Sequence, residues 1–311
     1  MANFLARRFF SSIISVIGAT MAIFILIQFH SDPRELFVPD SGWGITQEQW
    51  DRLGERLGLN EPLWKQYVTW IGRTLRGDLG ISLARDRPVT DLIKGKIGAT
   101  VQLAVGGWIF AVLLGIPLGV LAAVKRGTFW DYFGRSVAIV GQAAPPFVTA
   151  LVAIWIFAVV LGWFPAGGRS PDFNWKEYVL PCVALGWGAA ASLMRLTRSS
   201  MLEVLDSEYI KLARAKGVSE RSVIWKHALR NAIIQPLTIA TLLLAGFMDG
   251  AVLVEVIFAW PGVGRVAVEA VNSNDFMLIT GTVFIFTALY LFMSLVADLL
   301  YTVVDPRIRY A

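Results

Sequence analysis

Cysteine is nearly absent from this chain, and histidine is scarce. One cysteine in 311 residues, Cys182, excludes an intrachain disulfide framework and a cysteine-rich metal site, and its place in an apolar run marks it as a small buried residue. His30 and His227 are too few for a His-ligated metal centre. Charge is sparse too. Asp, Glu, Lys and Arg make up 16% of the residues against 56% hydrophobic ones, which excludes a disordered chain and an ordinary soluble domain. No G-x-x-x-x-G-K-[ST] sequence occurs, so the phosphate-cradling loop of an ATP-hydrolysing protein is missing.

What is present is apolar length. Mean hydropathy is +0.59, and the pattern predicts six membrane spans: Phe9–Phe29, Ala99–Val124, Ser136–Phe164, Val179–Met194, Ala232–Phe258 and Phe276–Val304. Five reach the roughly 20 residues that cross a hydrocarbon core. The fourth is the weakest, with about 16 apolar residues before Arg195 against a usual minimum of about 17, and Gly186 and Gly188 soften it further. It is counted because without it the basic stretch that follows would face the wrong side. The first span exceeds the apolar core of about 7–15 residues in a secretory signal, and no A-x-A-like site precedes His30, so it reads as a retained anchor.

Charge orients the spans. With both termini inside, the inner segments hold 15 basic against 6 acidic residues and the outer ones 13 against 14. Asp249, Glu255 and Asp298 fall within spans. This is the positive-inside pattern, so a pI near 9.4 requires no nucleic-acid partner. The long segment from His30 to Lys96 is charge-balanced and outside. Leu63, Tyr67, Trp70 and Ile71 recur there at helical spacing after Pro62, and "GDLG" supplies a turn, which together predict a small folded cap. The expected division is residues 1–96, a helix plus cap, and residues 97–311, the core.

One inner segment is distinctive. In "SEYIKLARAKGVSERSVIWKHALRNA", Tyr209, Leu212, Ala213 and Lys216 share a helical face, Asp206 is a candidate N-cap, and Gly217 stops a helix of about three turns. A second helix opens at Ser219 and runs to Pro236. Such a helix–Gly–helix element is shaped to dock into a groove on another protein. The bland alternative is a surface helix whose cations only set orientation; it accounts for the Lys and Arg but not for Ala213, Ala215 and Gly217.

"ARAKG" at Ala213–Gly217 and "HALRNA" at His227–Ala232, with "GDLGIS" at Gly77–Ser82, "VEVIFAWPGVG" at Val254–Gly264 and "DPRIR" at Asp305–Arg309, resemble the permeases of binding-protein-dependent ABC importers of the dipeptide, oligopeptide and nickel group. Of that family's E-A-A-x-x-x-G-x9-I-x-L-P loop, Ala213, Gly217 and Leu229 match. The resemblance implies an all-α integral membrane protein with six transmembrane helices in the MetI-like ABC permease fold and an extracytoplasmic cap between helices 1 and 2. It implies a transport subunit rather than an enzyme, with ATP and Mg on two partner ATP-binding subunits and no cofactor here. Further implied partners are a second related permease, a solute-binding protein and the lipid bilayer of a bacterial or archaeal cytoplasmic membrane. The loop of about 199–231 would couple to the ATPases through Glu208, Tyr209, Leu212, Ala213, Arg214, Ala215, Lys216 and Gly217. Gly77, Asp78, Leu79, Gly80 and Ser82 are candidates to touch the binding protein.

Asp249 and Glu255 are costly at membrane depth and must face protein or a wet pathway. Glu255 reads as structural, bonded near the outer end, with substrate contact as the alternative, Asp249 as either pathway-lining or paired to a partner permease, and Asp298 as a buried structural acid. Gly115 and Gly119 flank Pro117 and allow either close helix contact or simple kink packing. Two other function classes fit the composition. A secondary transporter or channel would show repeated halves or broken helices. An intramembrane enzyme would need clustered catalytic groups in the spans, and only those three acids are there.

The charge asymmetry predicts that Trp50 lies outside and Ser219 inside. Cysteines introduced at these positions in a Cys182→Ser background are expected to react with an impermeant thiol reagent on intact cells at Trp50 alone. Labelling at Ser219 alone would reverse the orientation.

Overall fold

A bilayer offers no water to satisfy exposed backbone, so a chain this apolar must close its hydrogen bonds within helices. A computed structural model of the chain describes residues 2–30, 46–57 and 60–304. The "DPRIR" sequence and residues 31–45 of the expected cap lie outside the described residues.

Helix α1 (Ala2–His30) is followed by α2 (Gln47–Leu57), α3 (Leu63–Thr74) and an antiparallel hairpin of β1 (Ile81–Ser82) and β2 (Arg87–Pro88), in which Ile81 faces Pro88. Helix α4 (Val89–Val124) leads to α5 (Phe129–Ala143) and α6 (Pro146–Ala153), which continues as a π-helix through Ile154–Val160. Next come α7 (Trp175–Leu205), α8 (Glu208–Ala215) and α9 (Glu220–Ser222), the last running through π-helical Val223–Ala228 into α10 (Leu229–Ala232). Helices α11 (Ile234–Ile257), α12 (Val263–Asn272) and α13 (Phe276–Val304) complete the order.

Among the described residues, α4, α7, α11 and α13 are each long and apolar enough to cross a membrane, and α1 carries the apolar stretch Ile13–Leu26. Three sequence expectations change in detail. The stretch Ser136–Phe164, read as one crossing, is a pair of helices bent by 111° where Ala144 and Pro145 interrupt it. Proline cannot donate to the preceding turn and pushes its predecessor out of helical geometry; Ala144 is accordingly extended, at φ −81° and ψ 121°. The span expected from Ala99 begins ten residues earlier, at Val89. The weak fourth span is a 31-residue helix, because Arg195 and Arg198 extend it rather than end it.

Two compact units result. One joins the chain up to Ala99 with Gly262–Leu289. Within it, Tyr67 and Trp70 of α3 point inward as their spacing predicts and meet Phe24 and Phe276, with Phe24 edge-on to Tyr67 at 5.6 Å. Leu63 stays partly outside. The "GDLG" turn forms with Gly77 and Gly80 at φ +86° and +87°, and Asp78 Oδ1 accepts the Gly80 N–H at 2.9 Å. The hub of this unit is Asp275, wholly buried at the head of α13. Its carboxylate caps α13 through Leu278 N at 3.1 Å and accepts from the Ser82 hydroxyl and the Leu83 and Ala84 amides. Stripped of water, it would be expensive without those donors.

The second unit, Thr100–Pro261 with Tyr290–Ala311, is organised around α7, which packs against α5, α6 and α11. On α4, a Cβ at Gly115 would stand 2.5 Å from the Ala190 carbonyl oxygen of α7, and one at Gly119 would stand 2.6 Å from that of Met194. The G-x-x-x-G sequence therefore serves close helix contact. Helices in lipid gain no hydrophobic drive from associating, so this intimacy, with Trp108 Nε1 donating to Ala240 O of α11 at 2.6 Å, must hold the bundle.

Gly115→Leu should consequently cost about 1–3 kcal/mol or more through overpacking, seen as a fall in the thermal midpoint of the detergent-solubilised chain. Gly95→Ala on the same helix, with open space around its Cβ, should leave the midpoint unchanged or raise it. Equal midpoints for Gly115→Leu and the parent would contradict the contact.

Candidate functional site

The element between α7 and α11 is built outward from Ile210. This side chain is wholly buried and packs with Met201, Leu205, Val223, Ala228 and Ala232, fixing α8 to the end of α7 and to the helical segment after it. Asp206, the expected N-cap, instead closes α7: its N–H bonds the Leu202 carbonyl, and extended Ser207 (φ −72°, ψ 153°) starts α8. With its first position moved on, α8 has eight residues, about two turns rather than three.

The stop falls where expected. Gly217 has φ +77°, its N–H bonds Arg214 O at 2.9 Å, and Val218 N–H reaches back to Ala213 O at 3.2 Å. This pair of bonds is a Schellman closure, and its left-handed residue favours glycine. Among the described residues no atom lies within 4 Å of a Cβ placed there, so the need for glycine is conformational and not spatial. Across the turn Arg214 grips Glu220 with two bonds, Nη2 to Oε1 at 2.8 Å and Nε to Oε2 at 3.2 Å. The hydrogen bond from Arg214 holds the Glu220 carboxyl below its ordinary range, and that bond in turn raises Arg214. Arg214 thus serves the angle between α8 and α9. Glu208 pairs with Lys211 at 2.8 Å on the surface.

The outward face carries Tyr209 and Leu212, 44% and 56% exposed, beside half-buried Ala213 and exposed Ala215 and Lys216. Asn231 donates to the Tyr209 hydroxyl at 2.9 Å, steadying the ring from α10. Trp225, 59% exposed on the same element, was not singled out by the sequence; an aromatic beside "KHALRNA" is the signal that could have found it.

The other candidates separate. Glu255 is wholly buried and accepts from Thr100 Oγ1 at 2.6 Å, while its carbonyl accepts the Trp260 N–H at 2.8 Å. The rest of "VEVIFAWPGVG" forms a tight corner. Ala259 lies at φ +48°, and buried Trp260 stands edge-on to Tyr178 at 4.9 Å with the Arg169 guanidinium 5.7 Å from its ring centre. Asp249 is exposed on α11 and Asp298 half-buried on α13. Of the "GDLGIS" residues, Leu79 and Ser82 are buried and Gly80 is half-buried, while Gly77, Asp78 and Ile81 are exposed.

Sequence reasoning also missed an ion pair. Arg198 of α7 forks onto Asp131 of α5, Nε to Oδ1 at 2.7 Å and Nη2 to Oδ2 at 2.9 Å, with Gly127 N–H completing the acid's shell at 3.0 Å. From sequence alone both stand only among the inner-segment charges.

Residues 115–310 match the family described as binding-protein-dependent transport system inner membrane component, and residues 1–104 match the N-terminal segment of such membrane components. The chain belongs to this permease family. Among its relatives are the dipeptide transport system permease protein DppB of Alkalihalophilus pseudofirmus, 37% identical with both chains fully covered, and the oligopeptide permease AppB of Bacillus subtilis, also 37% identical with full coverage. The glutathione transport system permease protein GsiC of Escherichia coli K12 is 33% identical over the whole of both chains. In the inward-facing methionine transporter MetNI, one solved chain shares the fold with a TM-score of 0.55 at 18% identity, covering 69% of this chain and 96% of that one. An amino acid ABC transporter gives 0.51 at 18%, covering 70% and 94%. This permease is therefore a multi-pass membrane subunit of a binding-protein-dependent ABC importer.

Proposed function

We propose that this subunit forms half of a translocation pathway for di- or oligopeptides, paired with a second related permease. Two ATP-binding subunits sit against α8–α10 on the cytoplasmic side, and a solute-binding protein delivers cargo from outside near Gly77 and Asp78. ATP and Mg are held by the ATP-binding subunits, and both termini of this chain are cytoplasmic. Residues 1–96 serve as helix and cap, residues 97–311 as the transport core. Support for the cargo class comes from the dipeptide, oligopeptide and glutathione relatives, whose named substrates share a peptide backbone with charged ends.

The observation that carries the coupling role is the build of α8: anchored on one face by Ile210, closed by Gly217, and presenting Tyr209 and Leu212 outward beside half-buried Ala213. A helix whose only role was to display cations would not need that closure. Closure of the ATPases pushes α8, and α8 passes the displacement to α7 and α11, which rock between inward- and outward-open states. ATP must bind those states differently to drive the change. Exposed Asp249 is the carboxylate that meets a peptide's ammonium group in the pathway.

Reconstituted vesicles holding the importer test this reading through uptake and substrate-stimulated ATP hydrolysis. Gly217→Val should distort the turn, and Ala213→Asp should bury an unpaired carboxylate in the ATPase groove. Each is expected to lower uptake about tenfold or more, the effect of about 1.4 kcal/mol of lost coupling, while the protein remains in the membrane. Lys216→Ala should behave as the parent, and Asp249→Asn should reduce uptake without lowering basal hydrolysis. Parental coupling in both Gly217→Val and Ala213→Asp would return the element to an orientation signal.

A further inference from the structure

Between α5 and α7 a cleft of ≈ 410 Å³ opens beside the Arg198–Asp131 pair, lined by Arg135, Arg195 and Arg198 with Ile139, Gln142 and Met194 among its walls. That volume lies in the range of about 300–1,000 Å³ common for small-molecule sites. Asp131 is engaged by the Arg198 fork and is 3% exposed, and Arg135 also stands near enough to interact with its charge, so three guanidiniums share one buried carboxylate. Arg135 and Arg195 are both exposed. Ile139, 66% exposed, follows Arg135 by one turn, which puts an apolar track directly beyond the charge.

The depth of the cleft fits a lipid headgroup. Arg195 stands ten residues before the end of α7, about 15 Å along the helix, where the apolar part of α7 gives way to charge. At the head of α5, Phe129, Trp130, Tyr132 and Phe133 are 71%, 52%, 60% and 48% exposed, as aromatics are at a bilayer–water interface. Cations beside an apolar wall at this level match a phosphate with its acyl chain attached, and the cytoplasmic leaflet supplies anionic lipid. We propose that this cleft binds the phosphate headgroup of an anionic phospholipid through Arg135 and Arg195, with an acyl chain lying over Ile139.

The test is native mass spectrometry of the full chain, purified with the subunits that accompany it and exposed to phosphatidylglycerol, phosphatidylcholine or glycerol 3-phosphate. The parent should retain phosphatidylglycerol over phosphatidylcholine. The double variant Arg135→Gln with Arg195→Gln should lose that adduct by about tenfold or more, as expected on removing two charge-assisted contacts. The corresponding double Lys variant, which keeps the charge, should retain it, as should Arg76→Gln at an exposed arginine that does not line the cleft. Equal retention of the two lipids overturns the proposal. So does an unchanged adduct in the double Gln variant, or loss of the adduct in a double Lys variant that elutes as folded protein. Complete displacement of the lipid by an equal concentration of glycerol 3-phosphate would leave only an anion site and also overturns it. An adduct seen on the isolated chain but excluded from the assembled importer would assign the cleft to the contact with the second permease instead.

Discussion

Glycine on the faces that meet α7 allows the second unit to exist as a bundle. Gly115 and Gly119 bring the α4 backbone onto carbonyl oxygens of α7, and Gly141 of α5 lies so close that a Cβ would meet Ala191 at 2.8 Å. In lipid, where apolar surface gains nothing by being buried against other apolar surface, such contact replaces the hydrophobic effect as the source of specificity. The C-terminal end of α7 hands directly to α8 through Asp206 and Ser207, so the two helices are joined by only two residues.

The polar groups follow a second rule set by low dielectric. Each deeply buried carboxylate for which partners are described is enclosed by donors: Asp275 by a hydroxyl and three amides, Glu255 by Thr100, and Asp131 by the fork of Arg198. Without such partners each would bear the full cost of a charge stripped of water. Asp249, on the exposed surface of α11, differs in kind from these structural acids.

The helical class, the apolar segments and the helix–Gly–helix element were legible because they rest on local signals: run length, i to i+4 periodicity and a glycine at a C′ position. Tyr67 and Trp70 turned inward for the same reason. What was not legible depends on partners distant in sequence. Nothing in "GDLGIS" reveals that Ser82 will bond Asp275, 193 residues away, or that Leu79 will be buried. Asp131 and Arg198, 67 residues apart, read as loop charges until α5 and α7 are brought side by side. The bend at Pro145 was a local signal that a count of apolar residues overrode.

On the proposed reading, α8 is the surface through which the ATP-binding subunits move this permease. The most direct measurement places a photo-crosslinking residue at Leu212, exposed and outside the Schellman closure, in the assembled importer, and identifies what it captures. Coupling through α8 predicts a crosslink to the ATP-binding subunit whose yield changes between the nucleotide-free and ATP-bound states. Capture of lipid alone, with no crosslink to that subunit in either state, would contradict it.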